Sequence, residues 1–228
     1  MSKKKRTHGD RAPQLSPSQL QSPDTMPAEE LAAQRAASEA QTAQRRRQQG
    51  AALLSQGARL LAQNQPAEAA AKLEQAAALL PDDPDVAINL GGAYVLLRRY
   101  NQAVAVLERA SLLAPDNPMV WTNLAAGYLG SLELSGPQQQ GQAIAAYQRA
   151  LDADPATPHV HYNLGLIHHD RRDHTQAAHW FGRALELNPH DHDARQWLAR
   201  LAAAAEANDA QPAALSSGDE PAEEAERG

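Results

Sequence analysis

The stretch PMVWTNLAAGYL at residues 118–129, together with AIAAYQRALDADP at residues 143–155, decides the fold. Both segments place small residues among large apolar ones at the spacing of an amphipathic helix. Ala and Leu lose little conformational freedom in a helix, whereas a proline ends one. The sequence therefore predicts two helices in this region, joined by a turn and closed by Pro155.

The same pattern recurs along the chain at a fixed period. Prolines 81, 115, 155 and 189 close similar segments and are separated by 34, 40 and 34 residues. The residues that recur in phase are Gly57, Gly91, Ala125 and Gly165; Ala69, Ala103, Ala143 and Ala177; and Leu73, Leu107, Tyr147 and Phe181. We therefore predict four copies of one unit, the third carrying an insertion between Ser131 and Gly141 that we expect to form a protruding loop.

The period and the order of these residues resemble the tetratricopeptide repeat, a helix–turn–helix unit. The third copy matches throughout, with Trp121, Leu124-Ala125, Tyr128, Ala143, Tyr147, Ala150 and Pro155. The departures are Gln56, Ala87, His161 and His168 in the other copies. The resemblance implies an all-α fold, a right-handed α-solenoid of four helix pairs with an N-terminal helix and a C-terminal capping helix. Such a protein would have ten helices.

The predicted organisation follows the repeat boundaries. The array covers 50–207, and its parts are copies at 50–83, 84–117, 118–157 and 158–191 and the capping helix at 192–207. A polar helix is predicted at 27–49, after a disordered basic segment at 1–26. Residues 208–228 are predicted to be a disordered acidic tail, because apolar residues are few and acidic ones many.

One polar residue per copy is a candidate contact for a bound peptide. The first helix of each pair lines the concave face in the tetratricopeptide family. The place just before the Leu-Gly pair of the motif holds Ser55, Asn89, Asn123 and Asn163. An asparagine amide both donates and accepts, so it can pair with a peptide backbone. The row is similar to the asparagine ladder of the sugar-transferring tetratricopeptide enzymes. The alternative is that asparagine is merely tolerated on a solvated helix face.

Apolar residues are expected beside this row and would supply pockets for partner side chains. The candidates are Ile88, Met119, Tyr162 and Leu166, with Leu54 in the first copy. Family members that grip acidic chaperone tails use Lys and Arg on this face. Asp85, Met119 and His159 hold the comparable places here, so a carboxylate clamp is not expected.

Eight of the nine histidines lie between His159 and His192. A metal site, a pH switch and ordinary packing are all open interpretations of this cluster. Single histidines scattered on helices give poor metal geometry, and His161 and His168 take aromatic core places. Packing is therefore favoured, and no metal or cofactor is predicted.

Several function classes find no support. The chain has no cysteine, no nucleotide-binding glycine loop and no nucleophile motif, so we do not predict an enzyme. An acidic pI of 5.8 does not favour nucleic acid, and no apolar stretch is long enough for a membrane helix. We predict a cytoplasmic protein–protein interaction scaffold that binds a peptide or partner segment. The alternative is an accessory subunit of an enzyme whose catalytic chain is separate.

Overall fold

The computed structural model describes residues 27–209, and these residues form nine α-helices and no strand. The helices are α1 (Ala28–Ala62), α2 (Pro66–Leu79), α3 (Pro84–Leu96), α4 (Tyr100–Leu113), α5 (Pro118–Leu129), α6 (Pro137–Ala153), α7 (Val160–Asp170), α8 (His174–Leu187) and α9 (His192–Asp209). Below, the A helices are residues 49–62 of α1 with α3, α5 and α7, and the B helices are α2, α4, α6 and α8. The disorder predicted for 1–26 falls outside the described residues, and so does that predicted for 208–228 except at Asn208 and Asp209, which end α9.

The expected ten helices are wrong by one, because the predicted N-terminal helix continues into the first A helix. The later copies begin with Pro84, Pro118 and Pro158, but the equivalent place in the first copy holds Gly50. Nothing in this sequence stops a helix there. Gly50 is buried, and a Cβ added to it would lie 2.5 Å from the Leu80 side chain. The chain divides into two compact units, 1–48 and 49–228.

Prolines and side-chain caps begin the second and third A helices. The Asp83 carboxylate accepts from the backbone N–H groups of Asp85 and Val86, at 2.9 and 3.1 Å. Asn117 accepts from the Met119 N–H at 3.0 Å. These bonds satisfy donors that would otherwise have no partner in the first helical turn.

The fourth A helix begins later than its repeat boundary predicts. Thr157 stands at the capping place, but its hydroxyl is buried and donates to the Asp154 carbonyl at 2.6 Å. His159 takes a left-handed conformation with φ of 63°, and α7 starts only at Val160. This helix therefore starts two residues later than Pro158 predicts.

Three of the turns from A helix to B helix share one backbone geometry. Asn64, Arg98 and Arg172 have φ of 57°, 58° and 61°. In the second copy, the Arg99 N–H donates to the Tyr94 carbonyl across this residue at 2.8 Å. A left-handed residue followed by such a bond is the usual way in which a helix ends before a sharp turn.

The insertion in the third copy packs against the next repeat, contrary to the protruding loop that we expected. Gly130, with φ of 61°, ends α5, and a 3₁₀ turn follows at Leu132–Leu134. Pro137 then begins a longer B helix, α6. The Gln140 side chain is buried and donates to the Asp170 carboxylate of α7 at 2.7 Å. The added residues thus connect the third copy to the fourth through a buried hydrogen bond.

Each pair closes where a small residue of its A helix meets a large residue of its B helix. A Cβ at Gly91 would overlap the Leu107 side chain, and one at Gly165 would lie 2.6 Å from the Phe181 ring. Leu107 and Phe181 are fully buried. Any larger residue at these glycines would push the two helices apart.

The core is divided along the array into three larger clusters. The first is centred on Leu107, the second on Tyr147 and the third on Phe181. Trp121 and Tyr128 of α5 are half-buried and pack against both the first and the second cluster. These two aromatic residues therefore link the first half of the array to the second.

Hydrogen bonds between tyrosine and glutamate join successive copies. The Tyr94 hydroxyl donates to Glu74 at 2.9 Å, and the Tyr128 hydroxyl donates to Glu108 at 2.7 Å. Burial, with the neighbouring glutamate, raises the pKa of each phenol to about 12. Both phenols therefore stay protonated as donors throughout the physiological range.

The last helix, α9, packs against α8. Ala194, Trp197 and Leu201 lie in the cluster of Phe181, and the rings of Trp197 and Phe181 are stacked with centroids 5.9 Å apart. The Arg200 guanidinium lies 5.2 Å from the centre of the Trp197 ring. Such contacts are what a terminal helix needs in order to cover the end of a repeat array.

Candidate functional site

The three asparagines of the candidate face occupy equivalent places on α3, α5 and α7, and all three are half-buried. The Asn89 amide donates to the Asp85 carbonyl of its own helix at 2.8 Å. The Asn123 amide donates to the Ile88 carbonyl of the preceding A helix at 3.3 Å. Asn123 therefore also holds two repeats together, a role that the sequence did not predict.

Asn163 lies beside a buried phenol. Burial raises the pKa of Tyr147 to about 12, and a hydrogen bond with the Asn163 side chain opposes that rise. An amide has two N–H donors and an acceptor oxygen, so one internal bond leaves it able to pair with a peptide. The hydrogen bonds of Asn89 and Asn123 fix the orientation of these two amides, which would lower the entropy lost if a peptide bound there.

The other predicted contact residues do not all share one surface. Ser55 is exposed on α1, and the Met119 side chain at the start of α5 is 47% exposed. Ile88 is only 9% exposed and packs against Ala110 and Val120, so its side chain belongs to the core rather than to a groove. Its contribution to the face is the carbonyl that Asn123 binds.

Tyr162 and Leu166 lie on α7, the last of the A helices. Both are half-buried against the cluster of Phe181, and the Tyr162 ring is 5.6 Å from the Phe181 ring. Leu54, at the other end, is half-buried against the first cluster. One edge of each of these side chains packs against the core, and the other edge is exposed to solvent.

The histidines of the fourth copy pack mainly with aromatic rings. His161 is buried with its ring 5.8 Å from the Trp180 ring, and His169 lies 4.4 Å from the Trp197 ring. Burial lowers the pKa of His161, and the positive charge of Arg183 lowers it further. Within residues 27–209, no group of three or more His, Cys, Asp or Glu side chains is arranged to hold a metal ion.

His168 stands where Tyr94 and Tyr128 stand in earlier copies. Its Nδ1 atom lies 3.5 Å from the Asp173 carboxylate, too long for a strong hydrogen bond. The tyrosine–glutamate link between copies is thus replaced by a looser contact with Asp173, a residue that follows α7 within the same copy.

Sequence reasoning passed over a cleft that begins at one departure from the pattern. Ala87 occupies the place of an aromatic residue, and a cleft of about 210 Å³ lies there between α2, α3 and α4. The missing aromatic was visible in the sequence, but the cleft depends on how closely the neighbouring helices approach, which the sequence does not show. A cleft of about 230 Å³ also lies beside Trp121 in the third copy.

No helix among the described residues combines the length and the apolar character that a membrane crossing requires. The search of curated proteins finds no match to the chain.

Solved structures share the fold. A thermophilic tetratricopeptide repeat protein of Thermus thermophilus, TTC0263, is 21% identical with a TM-score of 0.60, over 70% of this chain and 84% of that one. A crystal structure of MamA is 18% identical with a TM-score of 0.58, over 67% and 86% of the two chains. MamA from Desulfovibrio magneticus RS-1 is 24% identical with a TM-score of 0.54, over 63% and 78%.

Two family models, each described as tetratricopeptide repeat, match residues 60–126 and residues 141–192. The matched ranges hold the helices that carry the repeated small and large residues, and the gap between them holds the insertion. The all-helical structure and its likeness to solved repeat proteins agree with these matches. The chain belongs to the tetratricopeptide repeat family.

Proposed function

We propose that the chain is a non-catalytic interaction scaffold that holds an extended segment of a partner protein against its A helices. Proteins of this family generally mediate protein–protein interactions. The observation that carries the proposal is the row of half-buried amides at Asn89, Asn123 and Asn163, one on each of three A helices. Since the sequence lacks cysteine, which suits a reducing compartment, we propose the cytoplasm as its location.

The spacing of neighbouring A helices suits an extended backbone. Packed helices lie about 8–10 Å apart, and an extended chain rises about 3.3 Å per residue. One asparagine would therefore meet every third residue of a bound segment where α3 packs directly on α5. Contacts to the backbone at that interval bind without reading side chains, and Met119 adds an exposed apolar contact beside the row.

Site-specific crosslinking tests where the partner lies. A photoreactive phenylalanine analogue at Met119 should capture the partner. The same analogue at Leu112 of α4, a B-helix residue that is 83% exposed against 47% for Met119, should not. Leu112 is the more accessible of the two, so exposure alone predicts the opposite result. Capture at Leu112 with none at Met119 would refute the proposed face.

Substitution of the asparagines tests the backbone contacts with the captured segment. Each lost contact should cost about 0.5–1.5 kcal/mol, so the triple change Asn89→Ala, Asn123→Ala and Asn163→Ala should weaken binding by roughly one to three orders of magnitude. Asn123 also bonds the preceding helix and Asn163 lies against the buried Tyr147 phenol, whereas Asn89 bonds only a carbonyl of its own helix, so the single variant Asn89→Ala separates binding from stability. Unchanged calorimetric affinity in a folded Asn89→Ala variant would contradict the proposal.

A further inference from the structure

The cleft at Ala87 is an apolar recess between the first and second copies. Its walls come from α2, α3 and α4 and include Leu80, Val86, Leu90 and Val106. Ala87 is half-buried and lines the cleft with only a methyl group. The volume of about 210 Å³ exceeds the roughly 150 Å³ of an apolar cavity that is known to bind benzene.

The third copy carries an indole ring at the place of Ala87. Trp121, which lies 34 residues after Ala87, is half-buried there, and its indole N–H donates to the Pro115 carbonyl at 2.6 Å. The Arg149 guanidinium lies 5.2 Å from the centre of the indole ring. One hydrogen bond and one cation–π contact therefore hold the ring, together with the apolar walls.

The second copy keeps these partners without the ring. Pro81 and Arg109, the counterparts of Pro115 and Arg149, both line the cleft. After the last copy, the Arg195 guanidinium donates to the Pro189 carbonyl, which is again six residues earlier in the chain. The proline carbonyl is thus an acceptor at two equivalent places, whereas the methyl group of Ala87 cannot donate to Pro81.

We propose that the Ala87 cleft binds an aromatic side chain of a partner protein, and that this side chain is a tryptophan. The Pro81 carbonyl would accept from its indole N–H, and the Arg109 cation would lie against its electron-rich face. Arg109 is also ion-paired with Asp82 at 2.5 Å, which holds the guanidinium beside the cleft. The complementarity is therefore electrostatic as well as apolar.

The occupant comes from another molecule. Every Trp, Tyr and Phe of this chain lies between Tyr94 and Trp197, within the described helices, and the sequences of 1–26 and 210–228 contain none. The three tryptophans Trp121, Trp180 and Trp197 already pack in the second and third clusters. A second copy would have to unpack one of them in order to supply a ring.

This site is separate from the face of the asparagines. Ala87 and Asn89 are two residues apart on α3, which places them about 200° apart around the helix axis. A partner could therefore use either surface alone, and the failure of one proposal leaves the other standing.

The test is an NMR titration of the isotope-labelled full chain with N-acetyl-tryptophanamide. We expect saturable shifts of the backbone amides of Val86 to Leu90 and of Ala105 to Arg109. N-acetyl-leucinamide should bind at least tenfold more weakly, because it has neither the N–H donor nor the ring. Absence of saturable shifts at these amides would overturn the proposal.

Two cleft-filling variants and one control complete the test. Ala87→Trp installs the residue of the third copy, and Ala87→Leu installs the residue of the first copy, Leu53. Either should weaken the binding at least tenfold, and Ala87→Leu serves alone if the larger change impairs folding. Ala71→Trp, at an exposed place outside the cleft, should bind as the wild type does. Binding that persists in the folded cleft-filling variants would also overturn the proposal.

Discussion

The third and fourth copies depart from the repeat in opposite ways. The third keeps its aromatic residues, Trp121 and Tyr128 among them, but lengthens the connection between its helices. The fourth keeps the connection length but replaces those two aromatics with His161 and His168. Both copies still close on a buried ring, Tyr147 or Phe181. The contact between helices of one pair therefore tolerates changes in the turn and changes at the borders with other copies.

Removal of α9 should have the largest effect, and it should act on the fourth copy rather than on the third. The α6 helix of the third copy is covered by the fourth copy, whereas α8 has α9 as its cover. Deletion of residues 192–228 exposes Phe181 and its cluster, so we expect aggregation and loss of the cooperative thermal transition. Deletion of residues 210–228 is the control and should leave the transition unchanged. A soluble 1–191 fragment of wild-type stability would refute the capping role.

Truncation of the buried rings should have the next largest effect. Tyr147→Ala and Phe181→Ala each remove a ring that closes one helix pair, and each should cost about 3–5 kcal/mol in the free energy of unfolding by urea. Leu112→Ala, at an exposed site, should change that free energy by less than about 0.5 kcal/mol. If one variant lost several-fold less unfolding free energy than the other, the helix pairs of the third and fourth copies would not be equivalent.

The insertion should contribute less than the rings, but measurably. Gln140→Ala removes a buried hydrogen bond to Asp170, so we expect a loss of about 0.5–1.5 kcal/mol in the free energy of unfolding. Gln139→Ala, one residue earlier and exposed, should be neutral. Equal free energies of unfolding for the two variants would indicate that the insertion is a loop that does not contribute to stability.

The smallest expected effect is a dependence on pH that the fourth copy has and the third lacks. Burial and Arg183 lower the pKa of His161, whereas Glu186 opposes this, so the unfolded chain binds a proton more readily than the folded one. The contribution of His161 to stability is therefore present above about pH 6.5, the ordinary histidine pKa, and declines as the pH falls toward its folded value.

His161→Trp copies the third repeat and should reduce the difference in urea midpoint between pH 7.5 and pH 5.5. His190→Trp is the matched control, because His190 is exposed and is not among the groups that shift the pKa of His161. A wild-type difference that survives His161→Trp unchanged would assign the pH dependence to other groups.

Much of the fold could be predicted because it depends on residues that repeat in phase. The period located the small and large residues that meet in each pair, such as Gly91 with Leu107. The continuous α1 was missed because the absence of a stop signal at Gly50 is weaker evidence than the presence of a proline. The late start of α7 depends on the buried Thr157, whose hydrogen bonds are visible only in three dimensions.

The candidate site was predicted less completely. The repeat placed Asn89, Asn123 and Asn163 on the A helices, but it could not show that Asn123 reaches the Ile88 carbonyl. That bond depends on the distance between two helices and on a side-chain rotamer. For the same reason the sequence could not place Ile88 in the core, since burial of a residue at the edge of a helix depends on how closely the next helix approaches.

The division of the core into clusters has a consequence for cooperativity. In a repeat array, stability is approximately a sum of contributions from single repeats and from the borders between them. Trp121 and Tyr128 contribute to the border between the first two clusters, so loss of their packing should weaken the coupling between the two halves of the array. A partner that spans α3 and α5 would strengthen that same border. Binding there would then extend the length of chain that unfolds together, and the protection of distant amides would report on occupancy.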